Sequence, residues 1–129
     1  MRRLRLRETM IQRAVVDHWR ALGLPGTLVA AVPNAGALGQ PGLTAGVFDL
    51  ICIGPQILGR VGFIELKADD GKLSEAQKGF LKILQDNDVT YAVAYGREEP
   101  IQVLELWGLV RPRAKLLDTT KRRETRMLK

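Results

Sequence analysis

Residues 47–67 read Val-Phe-Asp-Leu-Ile-Cys-Ile-Gly-Pro-Gln-Ile-Leu-Gly-Arg-Val-Gly-Phe-Ile-Glu-Leu-Lys, and this stretch decides the fold. Two apolar runs, 47–53 and 60–67, are rich in β-branched and aromatic residues and flank a segment with two glycines and a proline. Such runs predict two strands joined by a hairpin-like turn.

One acidic residue interrupts each of these apolar runs, Asp49 in the first and Glu65 in the second. Burying an unpaired carboxylate costs several kcal/mol or more, so something must compensate for both acids. Two adjacent strands would bring the acids together around a cation. Because side chains alternate along a strand, Glu65 and Lys67 share one face of the second strand.

These groups are the parts that a divalent metal site needs. Hard cations such as Mg²⁺ prefer oxygen ligands and keep water and phosphate oxygens in their shell. The carboxylates of Asp49 and Glu65, with the backbone carbonyl of Leu66, would form such an incomplete shell. Lys67 would hold an attacking water or stabilise charge in the transition state. The pattern thus indicates phosphodiester hydrolysis, and the alternative is a buried ion cluster with a structural role.

The rest of the chain supplies elements around the two strands. Helical spacing of apolar residues predicts a helix over 8–22, which Gly23 ends. Ser74 and Gln77 have the spacing of a capping box and predict a helix over 74–85. The remaining segments are predicted strands at 28–32 and 89–95, a Gly/Pro-rich loop at 33–46, and a segment at 100–109 that suits a helix or a strand.

This order of elements predicts an α/β fold with a mixed central β-sheet flanked by α-helices. The 129 residues form one domain with its core at about 8–110. Two basic arms hold the surplus of the +6 net charge, because residues 1–7 carry +4 and 111–129 carry +6, whereas 8–110 carry −4. Such arms bind phosphate backbones, and the alternative is a pair of solvated tails.

Several classes of protein are excluded by composition. No apolar run approaches the roughly 20 residues of a membrane-spanning helix, and the N-terminus lacks the apolar block of a signal peptide. With Cys52 and His18 as single residues of their types, a disulfide framework, a zinc site and a His-based nucleophile are excluded. We expect Cys52, Trp19 and Trp107 in the core, His18 as a satisfied helix–core histidine, and a cytoplasmic location.

Three motifs follow one another in a fixed order. Residues 46–50 read G-V-F-D-L, 63–67 read F-I-E-L-K and 71–77 read G-K-L-S-E-A-Q. They resemble the pattern G-x-P-D-L, E-x-K and L-S-x-x-Q of the virus-type replication–repair nuclease (VRR-NUC) branch of the PD-(D/E)XK enzymes. Residues 33–36, P-N-A-G, are similar to the Pro-Asn-Gly segment of that family. The resemblance covers roughly residues 8–96.

The resemblance implies roles for individual residues. Asp49 and Glu65 would be metal ligands, Lys67 the catalytic lysine, and Gln77 a residue that orients water, metal or substrate. Glu8 matches an acid of the first helix that lies near the metal in the family. Gln77 and Glu8 each have an alternative, structural explanation. Gln77 would also serve a capping box, and Glu8 would be favourable as an acid in a first helical turn.

One position departs from the family pattern, because Phe48 stands where the family has proline before the first aspartate. Proline is not a ligand, so the chemistry can survive the change, but the local strand geometry is put in doubt. Asp69 and Asp70 follow the E-x-K strand and could reach a second metal, although a solvated turn is the simpler interpretation.

The family implies a restriction-endonuclease-like fold and a Mg²⁺- or Mn²⁺-dependent endonuclease of a phage or a bacterium. It further implies DNA as partner, with structured or branched DNA favoured, as for Holliday-junction resolvases that act as homodimers. Two alternatives stay open. The chain could be a non-catalytic nucleic-acid-binding module, or a monomeric nickase or flap nuclease.

Overall fold

The computed structural model describes residues 2–33 and 41–113. Within them, the elements in chain order are α1 (Arg2–Leu22), β1 (Leu28–Ala31), β2 (Leu50–Ile53), β3 (Val61–Lys67), α2 (Glu75–Asp86), β4 (Thr90–Tyr95) and α3 (Glu98–Leu106). Half of the predicted 33–46 loop, at 34–40, and the basic arm from 114 onward lie outside the described residues.

The strands form one mixed sheet in the order β1-β2-β3-β4. β1 pairs antiparallel with β2, and β2 pairs antiparallel with β3. β3 and β4 are parallel, and α2 makes the crossover that a parallel pair requires. The predicted α/β class with a mixed central sheet is confirmed.

β2 begins at Leu50, so the prediction that Asp49 lies inside this strand is wrong. The chain turns just before it, where Gly46 has a φ of +90°. The Asp49 carbonyl still accepts a hydrogen bond from the Val32 N–H at 2.8 Å, which extends the β1–β2 pairing. Its own N–H, however, points to the Glu65 side chain. Asp49 therefore lies at the end of the sheet.

α1 begins at Arg2, well before the predicted start at residue 8. The apolar periodicity that set the prediction misses this start, because the added residues include arginines and leucines, which are good helix formers. No acid lies in the first turn of α1, so the proposed helix-dipole explanation for Glu8 is wrong.

Across the described part of the chain, no helix has the length and apolarity needed to cross a membrane.

The ambiguous segment after β4 is a helix. α3 buries Ile101, Val103 and Leu104. Pro100 lies in the first turn, where its missing N–H would have no partner within the helix. The segment was ambiguous because its short apolar run suits both periods, and packing against the sheet decides for the helix.

α1 and α3 cover one face of the sheet, and the main hydrophobic core lies between them and the strands. Cys52 is fully buried there and Trp107 nearly so, as predicted. Burial also raises the pKa of the Cys52 thiol to about 12, which keeps it protonated. Gly62 makes room for the indole, because a Cβ at this position would lie 2.7 Å from the Trp107 ring.

Two α1 residues depart from simple core packing. Trp19 is only partly buried against the core, and its indole N–H donates a hydrogen bond to Thr27 Oγ1 at 3.0 Å. His18 is half-buried, and its Nε2 has no hydrogen-bond partner among the described residues. The expectation that the hydrogen-bonding groups of His18 are satisfied therefore fails at Nε2.

α2 covers the opposite face of the sheet, which carries Glu65 and Lys67. The Phe80 ring of α2 meets Phe48 at 5.1 Å and Phe63 at 5.4 Å between ring centroids, both edge to face. Phe48 is fully buried. The residue that replaces the family's proline thus anchors the turn before Asp49 to α2 by aromatic packing.

Candidate active site

The candidate site lies at the edge of the sheet where β3 ends and β2 begins. Leu50 pairs with Ile64 in the antiparallel register, so Asp49 continues this register opposite Glu65. The two acids are thereby brought together, as the sequence predicted, but Asp49 comes from the residue before β2 and only Glu65 lies within a strand.

Reciprocal hydrogen bonds link the two acids to the backbone. Asp49 Oδ2 accepts from the Leu66 N–H at 2.9 Å, and Glu65 Oε1 accepts from the Asp49 N–H at 3.3 Å. Because β2 starts only at Leu50, the N–H groups of Asp49 and Leu66 have no backbone acceptor across this end of the β2–β3 pair. The two carboxylates accept from them instead. The main chain fixes both carboxylates.

Lys67 supplies the nearest positive charge. Its Nζ lies 3.5 Å from Glu65 Oε2, and the two side chains are only 8% and 1% exposed. Strand alternation placed both residues on one face, and this prediction is confirmed. The pair is buried, and removing either partner would leave an uncompensated charge in the protein.

The site holds more negative than positive charge. The pKa of Glu65 is raised to about 8, because burial and the nearby charge of Asp49 raise it and Lys67 only partly offsets them. Burial also raises the pKa of Asp49, against the Leu66 N–H hydrogen bond, and the charge of Glu8 adds to the increase. In the absence of another cation, these carboxylates retain protons that exposed acids would release.

Gln77 has two roles at once. Its Oε1 accepts from the Ser74 N–H at 2.9 Å, while its backbone N–H donates to Ser74 Oγ at 3.1 Å, so the predicted capping box is present. Its Nε2 donates to Glu65 Oε2 at 2.8 Å. The capping role of Gln77 is confirmed, and the other end of the same amide contacts Glu65, so its predicted role at the site stays a prediction. The start of α2 is thereby tied to the buried acid.

Glu8 reaches the same region from α1. It lines a cavity of about 300 Å³ together with Asp49 and Pro33. A Cβ at Gly71 would lie 3.3 Å from Glu8 Oε2 and 3.1 Å from Lys67 Cδ, so this glycine lets the two side chains approach. The structure therefore brings Glu8 to the edge of the site, whereas the role of Gly71 was missed.

Gly46 opens the G-V-F-D-L motif, and the sequence alone assigns it no role. A Cβ at Gly46 would overlap the carbonyl oxygen of Ala76, and its φ of +90° also disfavours any other residue. The loop before Asp49 therefore packs tightly on the first turn of α2, beside Gln77. In the sequence, the glycine three residues before Asp49 is the signal that could have indicated this contact.

The donor set suits a hard divalent cation. Half-buried Asp49 and buried Glu65 share one lysine, and a bound cation would take the place of the protons that burial keeps on these acids. Within residues 2–33 and 41–113, no three His, Cys, Asp or Glu side chains gather at metal-binding distances. Asp69 and Asp70 are exposed at a turn, in line with their simpler interpretation.

Comparisons with known proteins find related domains. A family model described as the VRR-NUC domain matches residues 6–98. A solved structure titled "VRR_NUC domain protein" superposes with a TM-score of 0.64 at 24% identity, covering 78% of this chain and 86% of its own. Another, titled "VRR_NUC domain", has a TM-score of 0.56 at 21% identity, with coverages of 77% and 95%. These likenesses show the fold. Among curated proteins, no match is found.

Proposed function

Because the chain belongs to the VRR-NUC family of nuclease domains, we propose that it is a divalent-metal-dependent endonuclease that hydrolyses phosphodiester bonds in DNA. The observation that carries the proposal is the facing pair of carboxylates, half-buried Asp49 and buried Glu65, with the Lys67 ammonium 3.5 Å from the second acid. Such a set is costly to bury and is explained by a cation and a phosphate that bind it.

The metal would be Mg²⁺ or Mn²⁺, held by Asp49, Glu65 and the backbone carbonyl of Leu66. The Leu66 N–H donates to Asp49, and in a strand the N–H and C=O of one residue point to the same side. The Leu66 carbonyl therefore faces the side on which Asp49 lies, just outside the first residue of β2. Glu8 lies close enough to this set to serve through a bound water.

A bound divalent ion would polarise the phosphate and lower the pKa of a coordinated water. The protein's own residues do the remaining work. Lys67, held by Glu65 in a buried setting, places a positive charge where negative charge develops on the phosphate. Gln77 fixes the orientation of Glu65 through Oε2. The reaction adds water to phosphorus, breaks one P–O ester bond and leaves a hydroxyl and a phosphate end.

The competing structural interpretation, a buried ion cluster without catalysis, explains the charges less well. A structural cluster gains most when its charges balance, whereas here two acids with raised pKa values share one lysine. The same imbalance argues against a non-catalytic binding module. Two acids beside one lysine suit a cation site, whereas a module that only binds phosphates needs positive charge.

Structured or branched DNA as substrate and a homodimeric state are further parts of the proposal, supported by the family resemblance. A domain with one site would need a second copy to cut two strands symmetrically. Light scattering on a size-exclusion column tests the state, since a dimer has twice the 14.3 kDa mass of the chain. A monomer that cuts one strand or a flap would establish the alternative.

The test of the proposed activity uses purified protein with four-way junction, flap and linear duplex DNA, each with Mg²⁺, Mn²⁺ or EDTA. We expect cleavage only with metal. Asp49→Ala and Lys67→Ala should each lower the rate by about a hundredfold or more, as for loss of a charged group at a reacting centre. Binding without metal-dependent cleavage of any substrate would refute the enzyme.

A further inference from the structure

A groove leads away from the candidate active site between α1 and the free edge of β1. Its upper part, about 300 Å³, is lined by Glu8 and Asp49, and its lower part, about 400 Å³, continues along α1. The two parts share Thr9, Gln12 and Ala31 and are therefore one continuous depression. We call it the α1–β1 groove.

The lower part of the α1–β1 groove carries the cations. Arg13 and Arg20 lie on its wall with Asp17. Arg20 and Asp17 form an exposed pair at 3.9 Å, which contributes little to stability and is easily exchanged for another partner. Arg13 is exposed and, among the described residues, has no ion pair or hydrogen bond. Its charge is available to a ligand.

The edge of β1 adds backbone donors to this groove. β1 pairs only with β2 in the sheet that the structure describes, so its other edge is free there. The Val32 N–H points to β2, and alternate residues point the opposite way, so the Ala31 N–H faces the groove. A free edge amide beside an arginine is a common way to hold a phosphate oxygen.

The dimensions match a nucleic-acid strand. Glu8 and Arg20 are twelve positions apart on α1, which corresponds to about 18 Å along the helix axis. At about 3.4 Å of helix axis per base pair, this length spans about five base pairs of a B-form duplex lying along the groove. Both arginines lie in the lower part of the groove, together with Asp17, and Glu8 and Asp49 line the upper part, as expected if a strand enters over the arginines and reaches the metal.

We infer that the α1–β1 groove binds the sugar–phosphate backbone of the strand that is cut, with Arg13 as its principal phosphate contact. The inference rests on the proposed nuclease function and names the path by which its substrate reaches the site. The simpler interpretation, a solvated polar helix face, explains neither the continuity with Asp49 nor the free edge amide.

Binding of DNA to Arg13→Gln tests the inference, with Lys82→Gln as matched control. Lys82 is an exposed α2 cation outside the groove, and both variants lose one positive charge. Measured in EDTA over a series of salt concentrations, Arg13→Gln should bind about five- to tenfold more weakly at about 0.1 M salt. The slope of log affinity against log salt should fall by about 0.9. Lys82→Gln should match the wild type, and Arg13→Lys should restore most of the slope.

A variant that removes a negative charge from the groove gives a second readout. Asp17→Asn frees Arg20 and removes a negative charge from the groove, so it should tighten DNA binding. A loss of folding cannot produce this gain. Unchanged or weaker binding by Asp17→Asn would contradict a strand in the groove.

Neutral methylphosphonate linkages, placed one at a time within about six nucleotides of the cut, locate the contact. Arg13→Gln and a neutral linkage should be non-additive at one or two neighbouring positions, whereas Lys82→Gln should be additive at every position. Additivity everywhere, or equal salt slopes for the two variants, would overturn the inference. Metal-dependent cleavage by the wild type is measured alongside. If cleavage is absent, the nuclease proposal fails, and if it is present with additive variants, only the groove assignment fails.

Discussion

The Glu65 carboxylate contacts a donor on three sides: the Asp49 N–H at Oε1, and the Lys67 ammonium and Gln77 amide at Oε2. Only 1% of its side chain is exposed. Despite these donors its pKa is raised to about 8, because burial and the Asp49 charge outweigh them. A proton therefore occupies, at neutral pH, a position that we assign to a metal ion.

Glu65→Gln tests this at the level of stability, in protein freed of metal by EDTA. The folded state holds a proton on Glu65 up to about pH 8, while the unfolded chain releases it near 4.5. The wild type should thus lose free energy of unfolding as pH rises through this window. Glu65→Gln cannot titrate, so its urea-unfolding curves should show a smaller loss over the same window.

Added Mg²⁺ supplies the control, because a metal ion competes with the proton. Its stabilisation of the wild type should grow with pH across the window and be nearly absent in Glu65→Gln. Equal pH dependence in the two proteins would show that Glu65 does not titrate with a raised pKa.

The Gln77 amide is open to a similar separation of roles. Gln77→Glu keeps an oxygen for the Ser74 N–H but replaces the donor to Glu65 with a like charge, so cleavage should fall about tenfold or more. Ser74→Ala removes the cap and should cost about 1 kcal/mol of stability with cleavage nearly unchanged. Rates under single-turnover conditions and urea unfolding give both values. If the two variants lose activity equally, Gln77 acts through the cap alone.

Residues differ in how far the sequence predicts them. Glu65 and Lys67 follow from strand alternation, since both sit on one strand and a period of two decides their face. The double role of Gln77 does not follow, because it depends on how closely the start of α2 approaches β3. Likewise, Glu8 is brought to the site by the packing of α1, which no local pattern encodes.

Among the elements, the turn before β2 and the first turn of α2 form a unit. Gly46 packs against Ala76, and Phe48 packs against Phe80, so the segment that carries Asp49 is pressed on the helix that carries Gln77. The acid that we propose as a metal ligand, Asp49, and the residue that contacts its partner acid, Gln77, are thereby positioned together.

Gly46→Ala tests this unit, with Gly79→Ala as matched control in α2. At Gly46 a methyl group overlaps the Ala76 carbonyl and the φ of +90° is strained, so we expect a loss of about 2 kcal/mol or more and slower cleavage. At Gly79 nothing lies within 4 Å, and alanine should stabilise the helix by up to about 1 kcal/mol. Thermal unfolding distinguishes the signs. A neutral Gly46→Ala would refute the close contact.

Element types were more predictable than their ends. The strands of the hairpin and the capped α2 follow from local alternation and turn chemistry. The start of β2 does not, because Asp49 turns its N–H to a side chain rather than to a strand, a choice that depends on Glu65. For α1, helix propensity extends the element beyond the apolar stripe that packs on the sheet.

Over the whole molecule, the sheet divides two tasks between its faces. α1 and α3 bury the core on one face, while α2 covers the other and borders the candidate site. The stretch 8–110 has a net charge of −4, and residues 1–7 and 111–129 together carry +10. A negatively charged centre between basic ends suits a protein that attracts DNA from a distance and needs a cation at the point of contact.

The central claim is that the ion bound by Asp49 and Glu65 is the one that the cleavage of DNA requires. Mn²⁺ binding, followed by electron paramagnetic resonance, and single-turnover cleavage are measured on the same protein across one range of Mn²⁺ concentration. The two curves should rise together in the wild type and in Lys82→Gln, and Asp49→Asn and Glu65→Gln should lose both. Cleavage that persists in these two variants at wild-type Mn²⁺ concentrations would contradict the account.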